Sequence, residues 1–160
     1  MTIRTAVDDD SSTIAAIWEA GWRDAHLGNV PDALARVRTT ATFVTRARAS
    51  IPATLVATSD GVVVGFVMVD HDELAQIYVD ARHRGSGVAA ALLDAAEHVI
   101  AASGYPSAWL AVIAPNERAR RFYQRNGWLD DGEFVYRAAT QDGAVDVPSR
   151  RYTKQVWTDS

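Results

Sequence analysis

The chain has 160 residues, 48% hydrophobic and 22% charged, the profile of a globular protein with one core rather than a disordered or fibrous one. Its net charge of −4 argues against a sequence-tolerant nucleic-acid binder, which would be basic, and mildly favours a cationic substrate. The lack of cysteine excludes disulfides, thiolate metal sites and cysteine nucleophiles, and fits a reducing compartment.

The histidines at 26, 71, 83 and 98 have no metal-ligand spacing, so no metal is expected. Neither a signal peptide nor an apolar run of spanning length is legible, which points to a cytoplasmic protein without a membrane partner. There is no repeat, low-complexity tract or linker, so residues 1–160 read as a single domain.

Thr2 to Val7 alternate and predict a first strand. Asp8-Asp9-Asp10-Ser11-Ser12 supplies caps for a helix carrying Ile14, Ile17, Trp18, Gly21, Trp22 and Ala25 on one face and ending at Gly28-Asn29. Pro31 opens a second helix, with Leu34, Val37, Ala41 and Val44 as its apolar side. Thr54–Thr58 and Val62–Val69 flank an Asp-Gly turn and predict a hairpin, which Glu73–Val79 extends into an antiparallel meander. A long helix follows from Val88 through Ile100 and stops at Ser103-Gly104-Tyr105-Pro106. Ala108–Ile113 is a buried apolar strand, parallel to Glu73–Val79 through a right-handed crossover. Pro115-Asn116 opens a helix bearing Ala119, Phe122 and Tyr123 and ending at Gly127. Glu133–Ala138 and Arg150–Trp157 are the last strands, joined by a polar loop around Asp142-Gly143. The expected fold class is α/β (α+β), with a mixed sheet of six or seven strands.

Between strand and long helix runs Asp80-Ala81-Arg82-His83-Arg84-Gly85-Ser86-Gly87-Val88-Ala89. Glycines let backbone approach a ligand, a helix start presents unpaired N–H groups, and Arg82 and Arg84 can add charge-assisted contacts, which together suit a phosphate. The first helical turn carries no acid, the nearest being Asp94. The turn satisfies G-x-G-x-x-A, but five residues separate it from the strand, and the next strand ends Val112-Ile113-Ala114-Pro115 without the acid that holds a dinucleotide ribose. No Gly-Lys-Ser or Gly-Lys-Thr supports a P-loop.

A second segment, Asn116-x-x-Ala119-x-x-Phe122-Tyr123-x-x-x-Gly127-Trp128, reads alone as an amphipathic helix with a glycine cap. In order and about thirty residues apart, the two segments resemble the GCN5-related N-acetyltransferase (GNAT) family. Motif identity is confined to about residues 73–128, while the element order matches throughout.

The resemblance implies a mostly antiparallel sheet flanked by about four helices, with its fourth and fifth strands splayed around acetyl-CoA. It implies that the backbone of Ile77, Tyr78 and Val79 pairs with the pantetheine arm. Arg82, Arg84, Gly85, Ser86, Gly87, Val88 and Ala89 would hold the pyrophosphate, and Asn116 would touch the cofactor. Tyr123 matches the acid that protonates the leaving thiolate. Glu73 matches the base of some members, although a solvent-facing strand-end carboxylate reads equally well. Ala111 stands where ribosomal-protein acetyltransferases place theirs. Trp18, Trp22 and His26 share a face near the acceptor side and are candidates for lining its pocket, although aromatic residues at that spacing are more often core. Trp109 is expected in the core. The basic run Arg118, Arg120, Arg121 and Arg125 reads as a solvated face or a contact to the CoA 3′-phosphate. The implied reaction is acetyl transfer to a primary amine of a small molecule or peptide, and homodimers are common in the family. A non-catalytic acyl-CoA sensor, a longer acyl donor, and a protein N-terminal or lysine acceptor remain open alternatives.

Overall fold

Alternation and helical spacing become elements as follows in the computed structural model, which describes residues 1–157. Strand β1 (Thr2–Thr5) leads through a 3₁₀ turn at Asp8–Asp10 into α1 (Ser11–His26). Asp10 stands at the N-cap of α1 but its side chain does not cap the helix as expected: its carboxylate instead accepts from the Arg4 guanidinium at 2.8 and 3.0 Å and from the Val7 N–H at 2.9 Å. Arg4 thereby holds that carboxyl below its ordinary range and ties β1 to α1.

The single second helix expected from Pro31 to Val44 is two helices, α2 (Asp32–Val37) and α3 (Thr40–Ala49). Arg38 and Thr39 interrupt them: Thr39 adopts an extended backbone, and its side chain accepts from the Thr42 N–H, the geometry of a new N-cap. Of the apolar positions that ran through the break, Leu34 is buried and Val44 half-buried against the core, while Val37 and Ala41, on either side of it, are exposed.

β2 (Thr54–Ser59) and β3 (Val62–Asp70) form the expected hairpin, and β4 (Glu73–Val79) continues the meander. Then come α4 (Val88–Ala102), β5 (Ser107–Val112) and α5 (Glu117–Arg125). The last two strands are much longer than expected: β6 (Leu129–Thr140) and β7 (Gly143–Gln155) meet through Gln141-Asp142 alone. Their extensions include Asp130 and Pro148, residues of weak strand propensity held by cross-strand pairing rather than intrinsic preference, and Asp131 and Gly132, which fall in a bulge between the Asp130↔Tyr152 and Glu133↔Arg150 pairs.

The seven strands are ordered β1-β2-β3-β4-β5-β7-β6, and the β4–β5 pair is parallel in an otherwise antiparallel sheet. One face is covered by α1 and α3 around Ile14, Trp18, Phe43 and Phe66. The other is covered by α4 and α5 around Leu92, Leu93, Ile100 and Trp128. Each such side chain, almost fully buried, contributes about 1.5–3 kcal/mol of transfer free energy. Among the described residues no helix is long and apolar enough to cross a membrane.

Candidate active site

The sheet opens at its centre. Between β4 and β5 only Glu73 and Trp109 stand in register, and the Trp109 N–H donates to the Asp72 carbonyl at 3.0 Å. Immediately beyond, the β3–β4 register passes from Val69↔Leu74 to Met68↔Gln76, leaving Ala75 as an extra residue. A bulge bends its strand, and here it bends β4 where pairing with β5 stops. Meanwhile β5 stays paired with β7 from Ser107 to Val112. The strands diverge around a cavity of about 610 Å³, lined by residues 73–78 of β4, residues 110–113, Asn116 and Tyr123, and on the far side by Trp18, Trp22, His26, Arg38, Arg46 and Tyr136.

The turn after β4 is set by its own hydrogen bonds. Asp80 accepts from the Arg82 N–H at 3.0 Å, the His83 N–H donates to the Asp80 carbonyl at 2.8 Å, and the Ser86 hydroxyl donates to the His83 carbonyl. Gly85 and Gly87 have φ of 78° and 87°, left-handed values that favour glycine, and a Cβ on either would meet nothing within 4 Å. Gly87 caps α4 with no side chain, and the first turn has no acid, so its N–H groups face open space with the positive end of the helix dipole. This fits an anion such as a pyrophosphate. The two arginines are not free: Arg82 pairs with Asp80 and Arg84 with Asp24 of α1, each at 3.3 Å. Such surface pairs are worth little, and an oxyanion can replace the carboxylate partner.

Asn116 caps α5, its Oδ1 accepting from the Ala119 N–H at 3.2 Å. That cap fixes the helix that carries Tyr123. The Tyr123 ring packs against Phe122, Trp128 and Tyr152, and only 8% of the residue is exposed. Its hydroxyl has no hydrogen-bond partner among the described residues, and burial pushes the phenol up, so it holds its proton at neutral pH. Within the basic run, Arg120 is tied down, donating to the Tyr152 hydroxyl at 3.1 Å and the Ala114 carbonyl at 3.0 Å. Arg121 faces Glu117 at 3.7 Å.

Glu73 does not simply face solvent: it is half-buried at the cavity wall and accepts a hydrogen bond from the Tyr136 hydroxyl at 2.7 Å. Burial raises its pKa above the ordinary glutamate value, the Tyr136 bond opposing part of that rise. Ala111 also lines the cavity and offers no titratable group. Trp109 lies outside both cores, half-buried, its Nε1–H on Asp72 at 3.2 Å and the Arg151 guanidinium 4.5 Å above its ring. Asp72 at the turn and Arg151 on β7 hold it at the one point where β4 and β5 touch.

Trp18 and Trp22 combine the two roles weighed from the sequence. They are 2% and 5% exposed, part of the core, and their remaining surface walls the cavity. His26 stacks on Trp22 with centroids 5.0 Å apart, and its Nδ1 bonds the Trp22 carbonyl at 3.0 Å. Burial lowers its pKa, so the ring is neutral at pH 7 and Nε2 can accept. Sequence reasoning missed Arg38, Arg46 and Tyr136. They come from three separate segments, and no spacing unites them.

The profile described as the Acetyltransferase (GNAT) family matches residues 14–128. Uncharacterised N-acetyltransferases of Mycobacterium tuberculosis and Mycobacterium bovis are 33% identical over 117 residues, covering 70% of this chain and 73% of theirs. Among solved structures, a GCN5-related N-acetyltransferase from Rhodopseudomonas palustris superposes with a TM-score of 0.72 at 21% identity, over 96% of this chain and 94% of that one. A putative acetyltransferase from Salmonella typhimurium, solved with acetyl-CoA, gives 0.72 at 18% identity over 100% and 96%. An N-acetyltransferase from Thermoplasma acidophilum in complex with coenzyme A gives 0.70 at 18% over 96% and 98%. The profile match over most of the chain and the mycobacterial likeness place it: the protein belongs to the acetyltransferase (GNAT) family and is an acyltransferase.

Proposed function

We propose that residues 1–160 act as a single domain that transfers acetyl from acetyl-CoA directly to a primary amine. The observation that carries this reading is that Glu73 and Tyr123 line one cavity, along a β4 edge that β5 leaves unpaired. That edge offers backbone groups to an extended pantetheine arm, and a β4 N–H can polarise the thioester carbonyl. The Gly85–Ala89 turn, with Arg82 and Arg84 beside it, receives the pyrophosphate, in keeping with relatives solved with acetyl-CoA or CoA.

Proton handling falls to two side chains. Glu73 takes a proton from the acceptor ammonium, directly or through a water, and its raised pKa suits it to do so nearer neutrality. The freed nitrogen lone pair bonds to the acetyl carbon, the C–S bond breaks, and the nitrogen releases its second proton to water as the amide forms. Tyr123, kept protonated by burial, donates to the departing thiolate. The Tyr136 hydroxyl holds the Glu73 carboxylate in place.

A panel of amines mixed with acetyl-CoA, read by thiol release and by the mass of the product, tests this. Amine-dependent release with an acetylated amine is expected. Tight acetyl-CoA binding without release across the panel would overturn it in favour of a binding module.

A further inference from the structure

Resting on that reaction, we propose that the acceptor is a small molecule bearing an oxyanion as well as its primary amine, an amino acid or its phosphonate counterpart, with Arg38 and Arg46 holding the oxyanion. Arg38 sits in the break between α2 and α3 and is only 6% exposed. One of its N–H groups donates to the Ala139 carbonyl at 2.7 Å, while its Nε is buried without a partner. Arg46, on α3, lies 4.3 Å over the Trp18 ring. Among the described residues no carboxylate comes within 4.0 Å of either, whereas exposed arginines such as Arg23, Arg121 and Arg137 each have one.

A buried guanidinium is costly unless it is paired, and its planar fork matches a carboxylate or phosphonate. Here the buried Arg38 shares a cavity wall with a second, half-buried guanidinium, that of Arg46. Desolvation, with repulsion from Arg38, pulls Arg46 down to about 10. An anion between them relieves both effects. Both arginines line the cavity that Glu73 lines. Tyr136 lies in the field of Arg46 and donates its hydroxyl to Glu73, so it links the cation pair to the proposed base.

The donor's phosphates do not account for the pair. The α4 start packs in the core on the other face of the sheet, with Val88, while the Trp18 under Arg46 belongs to the α1–α3 core. The net charge of −4, which favoured a cationic substrate, reflects outer acids such as Asp8, Asp9 and Asp131, all exposed. The cavity wall opposes that trend.

The test compares glycine, alanine, leucine, methionine, phenylalanine and glutamate with their amides, their decarboxylated amines and their aminophosphonate analogues. One readout is kcat/KM for acetylation. The other needs no turnover: calorimetry of the N-acetyl amino acids and their amides with CoA present. At least one oxyanion-bearing member should exceed its neutral partners by about tenfold or more in both, the range of charge-assisted pairing. Arg46→Gln should erase that preference, with Arg46→Lys restoring part of it and acetyl-CoA affinity unchanged. Arg38→Gln is the second variant, used if it melts like the native protein, because Arg38 also holds Ala139. The phosphonate arm identifies which oxyanion is preferred. Equal handling of acids and neutral partners, binding of no acid in the series, or a preference that survives Arg46→Gln would overturn the anion site. Arg46-dependent binding of N-acetyl amino acids without acetylation of any amine would instead overturn the proposed reaction and leave the anion site standing.

Discussion

The turn from Asp80 to Ala89 follows the strand that edges the cavity, and the wall formed by Trp18, His26, Arg38, Arg46 and Tyr136 lines it; the two are built from different material. The turn offers mainly backbone: left-handed glycines and the bare N–H groups of α4. The wall offers side chains from α1, the α2–α3 break, α3 and β6, set by packing and by long-range bonds such as Arg38 to Ala139. A backbone site needs glycine at fixed offsets within one segment and is therefore written in local sequence. A side-chain wall is a property of the tertiary fold. The turn thus suits a donor common to many relatives, and the wall is free to fit one acceptor.

The hardest blow to the turn is Gly87→Glu. It places a carboxylate at the helix start and forces a side chain onto a φ of 87°. Acetyl-CoA binding by calorimetry should vanish while circular dichroism stays native. Normal affinity would remove the turn as the pyrophosphate site. Next is Tyr123→Phe, which keeps the ring packing and removes a hydroxyl that makes no hydrogen bond to the described protein. A general acid contributes roughly 10²-fold or more, so kcat should fall by about that factor with acetyl-CoA affinity nearly intact. An unchanged kcat, with chemistry shown to be rate-limiting in single turnover, would exclude Tyr123 as the acid.

Glu73 belongs to the wall, at the end of β4 away from the turn, and pH separates its roles. Its pKa is raised by burial, so the acid limb of kcat/KM should rise with pH with its midpoint above the usual ~4.3 of glutamate. Glu73→Gln should remove that limb and depress activity throughout. A limb that persists belongs to the amine or to another group. The folded state also binds this proton more tightly than the unfolded chain, so its contribution to stability is full below the unfolded pKa and is lost as pH rises through the folded one. Melting midpoints of Glu73→Gln should therefore fall less than the native protein's over that window.

Legibility followed the same division. Strands β2 to β5 and helices α1, α4 and α5 were readable because period-2 and period-3.6 patterns and glycine stops lie inside each segment. The two segments proposed to hold the cofactor are local in the same way. The α2–α3 break was not, because Leu34, Val37, Ala41 and Val44 keep helical spacing across it and neither glycine nor proline marks it. Thr39 followed by Thr40 was the available signal, a capping residue inside an apolar pattern. The long β6–β7 hairpin was hidden by its polar, glycine- and proline-bearing arms. Glu73 was visible as a strand-end carboxylate, but its bond to Tyr136 depends on β6, sixty-three residues away in sequence.

The smallest effects test whether the two regions can be loosened separately. Thr39→Ala removes the cap of α3, the helix that carries Arg46, where Thr39 accepts from the Thr42 N–H at 3.3 Å. A lost cap costs about 1 kcal/mol, a fall of roughly 2–4 °C in Tm for a chain of this size. It should raise KM for the acceptor while leaving acetyl-CoA affinity as it was. Asn116→Ala removes the cap of α5 at similar cost, but that helix holds Tyr123 on the donor side, so kcat and acetyl-CoA affinity should bear the change and acceptor KM should not. Stability losses of equal size with opposite kinetic signatures are what separate regions require. If both variants shift donor and acceptor constants together, the cleft responds as one unit, and the division between a backbone turn and a side-chain wall describes its construction but not its behaviour.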